Sequence, residues 1–155
     1  MGSAGRDGDR AAVYAAEDQW TATIDRGGRV DFFGSTFDLS PQLRFGSLAA
    51  MAAYVDRLVA DTDSVPVVVR HRRGSTKAHY AAGVIAIPAD AQWACRESVL
   101  LHEFAHHRVG VAHGHDAVFR GHMLDLVELR LGPEAALLLR TGYTEQGLAV
   151  SRDVD

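Results

Sequence analysis

The pattern His102-Glu103-x-x-His106, within the heptapeptide of residues 101–107, constrains this chain more than any other feature. Two histidines four residues apart stand on the same face of an α-helix, where they can bind one metal ion together. Zinc accepts imidazole nitrogens at about 2.0–2.1 Å, and a carboxylate beside the first ligand can reach a water on the metal. The pattern therefore predicts a helix that carries two metal ligands, His102 and His106, and a general base, Glu103.

The sequence on both sides of this pattern favours a long helix, called the motif helix below. Residues 90–101 contain neither Gly nor Pro, and Asp90 is suited to cap the start of a helix. Gly110 suits its end, because glycine adopts the left-handed backbone that commonly follows the last helical turn. We therefore expect the motif helix to run from about residue 90 to residue 109.

Two histidines do not complete a catalytic zinc site, which usually has three protein ligands and an open position. His113 and His115 follow in a predicted loop that reverses the chain. The metzincin spacing fails, because the position six residues after the second histidine is Ala112. His113 and His115 thus both remain candidates for the third ligand. Two carboxylates on the next predicted helix are further alternatives, namely Asp125 and Glu128.

The remaining sequence alternates between helical and strand-like patterns. Helices are predicted at about 10–24, 48–60, 116–131 and 134–140, and strands at 30–39, 65–72 and 77–87. The last two strands are separated by a short turn, which predicts a hairpin. We expect an α+β fold in which a small mixed or antiparallel sheet packs on the motif helix, with further helices towards the C-terminus.

The length and composition of the chain fit one compact domain. It has 155 residues, of which 47% are hydrophobic. We predict a flexible tail at 1–9, one domain at 10–150 and a short tail at 151–155. Residues 1–9 lack the apolar core of a signal peptide, and no apolar run approaches the roughly 18 residues of a membrane span. The expected location is the cytoplasm, without membrane contact.

The motif and its flanks resemble a largely uncharacterised family of actinobacterial metallohydrolases of the small zincin type. The resemblance rests on residues 102–107 and 114–119 and covers about 10–147, with further similar stretches at 11–17, 45–47, 78–80, 87–88 and 132–136. It implies a zincin-like fold, one zinc ion, Glu103 as the catalytic residue and His115 as the third ligand. The chain departs from the family where Asp116 follows His115 and where His113 precedes Gly114, so His113 stays an alternative.

The function that follows is a zinc-dependent hydrolase, with peptides or proteins as the expected substrates. Glu103 would take a proton from a metal-activated water and later deliver it to the leaving group. Tyr80 or Tyr143 could supply a hydroxyl to the oxyanion, although each is more commonly a core aromatic. His107, which points about 100° away from His106, is expected at the surface or as an outer partner.

Two other classes of function remain as alternatives. One is a non-catalytic metal-binding or protein-interaction module on the same fold. The other is a three-histidine metal hydrolase acting on nucleic acid, motivated by the basic residues between positions 70 and 79. These residues are more simply explained as a solvated hairpin tip. The net charge of −4 also disfavours a general nucleic-acid binder.

Overall fold

A computed structural model describes residues 7–74 and 77–151 of the chain. These residues form five α-helices and two small sheets, so the predicted α+β class is confirmed. The helices are α1 Arg10–Arg26, α2 Leu48–Thr62, α3 Glu97–Val109, α4 Ala117–Leu131 and α5 Pro133–Glu145. The strands are β1 Gly28–Phe32, β2 Ser35–Leu39, β3 Val68–His71, β4 His79–Ala81 and β5 Val84–Ile87. No helix among these is long and apolar enough to cross a membrane.

The described residues group into two compact units. The terminal unit contains the residues up to Gln42 and those from Ala112 onward, and the central unit contains Leu43–Val111. The terminal unit therefore includes α1, the hairpin β1–β2, α4 and α5. The central unit includes α2, the three-stranded sheet and α3. The domain boundaries expected from the sequence stay a prediction.

The sheet of the central unit has the strand order β3–β5–β4. β3 pairs with β5 in parallel and β4 pairs with β5 antiparallel, so the predicted hairpin between residues 65–72 and 77–87 is wrong. The hairpin lies instead within 77–87, at Ala82 and Gly83, which both have positive φ. Two consecutive residues of positive φ make a tight two-residue turn, and this turn divides the second predicted strand into β4 and β5.

The motif helix begins later than predicted. Residues 92–94 form a short 3-10 turn, and α3 begins only at Glu97, so Asp90 is not its cap. Tertiary contacts fix this start: the buried Glu97 carboxylate accepts hydrogen bonds from the Leu43 backbone N–H and from the Tyr54 hydroxyl. A carboxylate in the first turn is also favourable beside the positive end of the helix dipole.

Within the central unit, α3 packs against α2, β4 and β5. Four of its apolar side chains are fully buried: Leu100, Leu101, Phe104 and Ala105. The expectation that a small sheet packs on the motif helix is therefore confirmed. The helix ends at Val109 and Gly110 follows it, as predicted, but a φ of 89° with a ψ of 155° at Gly110 is not the left-handed helical conformation that was expected.

The terminal unit contains helices whose ends follow local sequence signals. Asp116 caps α4 by accepting a hydrogen bond from the Phe119 backbone N–H at 3.0 Å. Gly132 ends α4 and Pro133 begins α5, as the sequence indicates. The predicted strand at 30–39 is two strands, because Phe33 and Gly34 both have positive φ and form a turn.

Tyr143 lies in the core of the terminal unit. Its hydroxyl donates a hydrogen bond to a Glu17 carboxylate oxygen at 2.7 Å, and its side chain is fully buried. Burial, and secondly the negative charge of Glu17, raise the pKa of Tyr143 well above its ordinary value. A hydroxyl held in this way has a structural role, so Tyr143 is a core aromatic, the more common role that the sequence suggested.

We expect the free energy of unfolding to fall as the pH rises above about 10, the ordinary pKa of tyrosine. The unfolded chain loses the Tyr143 proton near that pH, whereas the folded protein retains it. The folded state then binds more protons, so alkaline pH favours unfolding. Urea unfolding of wild type and Tyr143→Phe across this range should show a shallower fall in the variant. The half-exposed Tyr14 provides the control Tyr14→Phe, and equal slopes for wild type and Tyr143→Phe would contradict the prediction.

Candidate metal centre

α3 presents the two histidines of the pattern on one face. The ring centroids of His102 and His106 are 5.0 Å apart, with the rings close to perpendicular. His102 is only 5% exposed and Glu103 only 6% exposed. The helix therefore places two imidazoles side by side next to a buried carboxylate, as the spacing predicts.

His107, the next residue along α3, has a different role. Its Nε2 lies 2.6 Å from the Val65 carbonyl oxygen, and its Nδ1 lies 2.9 Å from the Tyr80 hydroxyl. Because a carbonyl only accepts, Nε2 carries the proton and Nδ1 accepts from Tyr80. The Tyr80 oxygen in turn accepts the Gly83 backbone N–H at 3.0 Å. These bonds tie α3 to the β4–β5 turn, and they engage Tyr80 in this structural role rather than as an oxyanion donor.

His115 lies in the terminal unit, just before α4. It is 6% exposed, and its ring contacts the rings of Tyr14 and Phe119 with centroid separations of 5.2 and 5.0 Å. Its Nδ1 is hydrogen-bonded to a carboxylate oxygen of Asp7. Its backbone carbonyl accepts a hydrogen bond from Arg120 at 2.7 Å. Both the ring and the backbone of His115 are therefore held.

His102, His106 and His115 form a group in which each histidine offers one ring nitrogen. Burial of imidazoles is favourable when they are hydrogen-bonded or coordinate a metal. This triad could hold a metal ion, and it consists of the three ligands predicted from the sequence and the resemblance.

The alternative third ligands are placed differently. His113 Nδ1 lies 2.9 Å from Asp116 Oδ2, and its side chain is 27% exposed. Asp125 and Glu128 are exposed on α4. None of these three side chains belongs to the histidine group within the described residues.

Asp7 contacts His115, and no sequence pattern predicts this contact. Residues 1–9 carry Gly, Ser and charge, and this composition predicted a flexible tail. Residues 1–6 lie outside the described part, but the side chains of Asp7 and Asp9 contact His115 and Arg120. No sequence signal distinguishes Asp7 from other acidic residues near a terminus.

The chemistry of the donors suits several first-row divalent metals. Imidazole nitrogens are common ligands of zinc, copper, iron and nickel, and three of them leave further coordination positions open. A carboxylate beside the first histidine adds a proton acceptor. The arrangement can thus hold a cation and accept a proton close to it.

No protein-family model, no curated protein and no solved structure matches the chain. The resemblance to actinobacterial metallohydrolases accordingly stays a prediction. Inferences about function depend on the residues of the site itself.

We expect His106→Ala and His115→Ala each to abolish stoichiometric metal binding, because either change removes one of three nitrogens from the group. His113→Ala is the matched control: it removes a nearby imidazole that pairs with Asp116. Metal content after purification and dialysis, measured by atomic emission, checks the prediction. Metal retained in His115→Ala but lost in His113→Ala would reverse the assignment of the third ligand.

Proposed function

We propose that the protein is a zinc-dependent hydrolase with a zincin-like fold, in which His102, His106 and His115 hold the metal and Glu103 is the general base. The observation that carries this proposal is the grouping of the three imidazoles, with Glu103 buried beside the first ligand on α3. A mixed sheet packed on the motif helix supports the fold. We propose a single zinc ion as the metal.

A bound zinc ion supplies Lewis acidity and lowers the pKa of a water to about 7. The protein supplies the remaining chemistry. Glu103 accepts the proton as the water oxygen bonds to the carbonyl carbon of the substrate, and it then donates this proton to the leaving nitrogen as the C–N bond breaks. Because Glu103 is almost fully buried, few water molecules compete for its carboxylate oxygens.

An extended peptide is the substrate class that we propose. β4 is an edge strand of the sheet, and it packs against α3, which carries the pattern. An edge strand offers unpaired backbone N–H and C=O groups to which an extended peptide can add as a further strand. This mode of binding would place the peptide backbone along the motif helix.

Nucleic acid is less favoured as a substrate. The basic side chains near the β3–β4 connection are mostly exposed, and the Arg72 guanidinium donates a hydrogen bond to the Lys77 carbonyl at 2.9 Å. This exposure supports a solvated basic surface at the β3–β4 connection, which is not the hairpin tip that the sequence suggested. A non-catalytic metal-binding or interaction module stays a prediction, and the experiment below includes it as one outcome. The cytoplasmic location also stays a prediction.

We expect Glu103→Gln to retain the metal and to lower kcat/KM by a factor on the order of 10²–10⁴, the usual contribution of a general base. The amide keeps the size of the side chain but cannot accept the proton. Metal content and the cleavage of peptide libraries should be measured together. Glu128→Gln is the matched control, because Glu128 is exposed on α4.

The outcomes separate the classes of function. A wild-type protein that binds no stoichiometric metal would overturn the proposal. Metal binding without cleavage of peptides or RNA would favour the non-catalytic module. Cleavage of RNA but not of peptides, lost in Glu103→Gln, would replace the peptide substrate with nucleic acid.

A further inference from the structure

We propose that Asp7 is a positioning residue for His115, and that it holds the proton on Nδ1 so that Nε2 is the nitrogen offered to a metal. This inference rests on the proposed metal site, and it assigns a role in that site to the segment before α1. The contact that carries it is the hydrogen bond between His115 Nδ1 and a carboxylate oxygen of Asp7.

The chemistry of the two groups fixes the direction of this hydrogen bond. An ionised carboxylate only accepts, so the imidazole must donate, and Nδ1 must carry a proton. In a neutral imidazole the lone pair then lies on Nε2. Ligand histidines commonly donate their second N–H to a carboxylate in this way, which fixes the ring orientation and raises the basicity of the ligand nitrogen.

Burial strengthens the contact between Asp7 and His115. The side chain of His115 is 7% exposed and that of Asp7 is 22% exposed. A charge-assisted hydrogen bond with little access to water is stronger than an exposed one. A carboxylate in an incidental surface contact with the His115 ring would be more exposed to water than Asp7 is.

Arg120 holds the segment that carries Asp7. Its side chain is 4% exposed, and its Nη1 lies 2.8 Å from Asp9 Oδ2 and 2.7 Å from the His115 carbonyl oxygen. Its Nε donates to the Ala149 carbonyl at 2.8 Å. One guanidinium therefore binds both the backbone of His115 and the side chain of Asp9, two residues beyond Asp7. These two contacts limit how far the Asp7 carboxylate can move relative to the His115 ring.

The loop before His115 leaves room for this carboxylate. Gly114 has a φ of 54°, and a Cβ at this position would lie 3.0 Å from the carboxyl carbon and from one oxygen of Asp7. A side chain on residue 114 would therefore require Asp7 to shift by a few tenths of an ångström, and it would also strain the backbone. The glycine permits the close approach.

The protonation of the His115 ring in the metal-free protein provides a direct test. Long-range ¹H–¹⁵N correlation spectra distinguish a ring with the proton on Nδ1 from one with the proton on Nε2. We expect the Nδ1–H form in wild type and a shift towards the Nε2–H form, which free histidine favours, in Asp7→Ala. Asp18→Ala is the matched control, because Asp18 is exposed on α1. Thermal unfolding of each variant verifies that it is folded.

Zinc affinity, measured by competition with a chromogenic chelator, is the second readout. We expect Asp7→Ala to weaken binding by about 10- to 100-fold, the usual effect of losing the outer partner of a ligand histidine. Asp7→Asn should weaken it less, since the amide oxygen still accepts the Nδ1 proton. Asp18→Ala should leave the affinity unchanged.

The two readouts separate the failure of this inference from the failure of the proposed function. If wild type binds no zinc, the metal site is wrong, and the spectra of the metal-free protein still decide whether Asp7 sets the proton position. Unchanged ring protonation in Asp7→Ala would overturn the inference. Unchanged zinc affinity in that variant, with wild type binding zinc, would overturn it as well.

Discussion

The burial of polar groups on α3 is the constraint on which the rest of the structure depends. A helix that is enclosed by apolar neighbours usually carries apolar residues, but α3 also buries His102, Glu103 and Glu97. Each such group costs free energy unless it finds a hydrogen bond, an ion or a metal. The start of the helix meets this demand with protein partners, since Glu97 accepts two hydrogen bonds. In its middle, the group of imidazoles could hold a cation, and this is the physical basis of the proposed function.

The two ends of α3 are fixed by different means, and together they limit how far the pattern can move. At the start, the buried Glu97 carboxylate binds the Leu43 backbone and the Tyr54 hydroxyl. Near the end, His107 connects the helix to the Val65 carbonyl and to Tyr80. A helix held at both ends presents the imidazoles of His102 and His106 with little conformational freedom. Such a fixed arrangement suits the binding of a metal ion better than a mobile one would.

Local features of the fold and of the site could be predicted from the sequence, and long-range ones could not. Ser47 caps α2 by accepting a hydrogen bond from the Ala50 backbone N–H, and this cap depends on residues close in sequence, as does the spacing of the two histidines on α3. The parallel pairing of β3 with β5 depends on a crossover that local periodicity does not encode. Asp7 lies 108 residues from its partner His115, and the composition of residues 1–9 suggested only a flexible tail.

The terminal unit is assembled from the two ends of the chain, whereas the central unit is one continuous segment. Asp9 and Arg120 are separated by 111 residues. Because the ribosome synthesises the chain from its N-terminal side, the segment with Asp7 and Asp9 leaves the ribosome long before the helix that carries Arg120. α3 can form while the chain is still growing. The contacts of Asp7 and Arg120 with His115, however, cannot form until α4 has left the exit tunnel. Completion of the third histidine's surroundings is thus a late event in the biosynthesis of the protein.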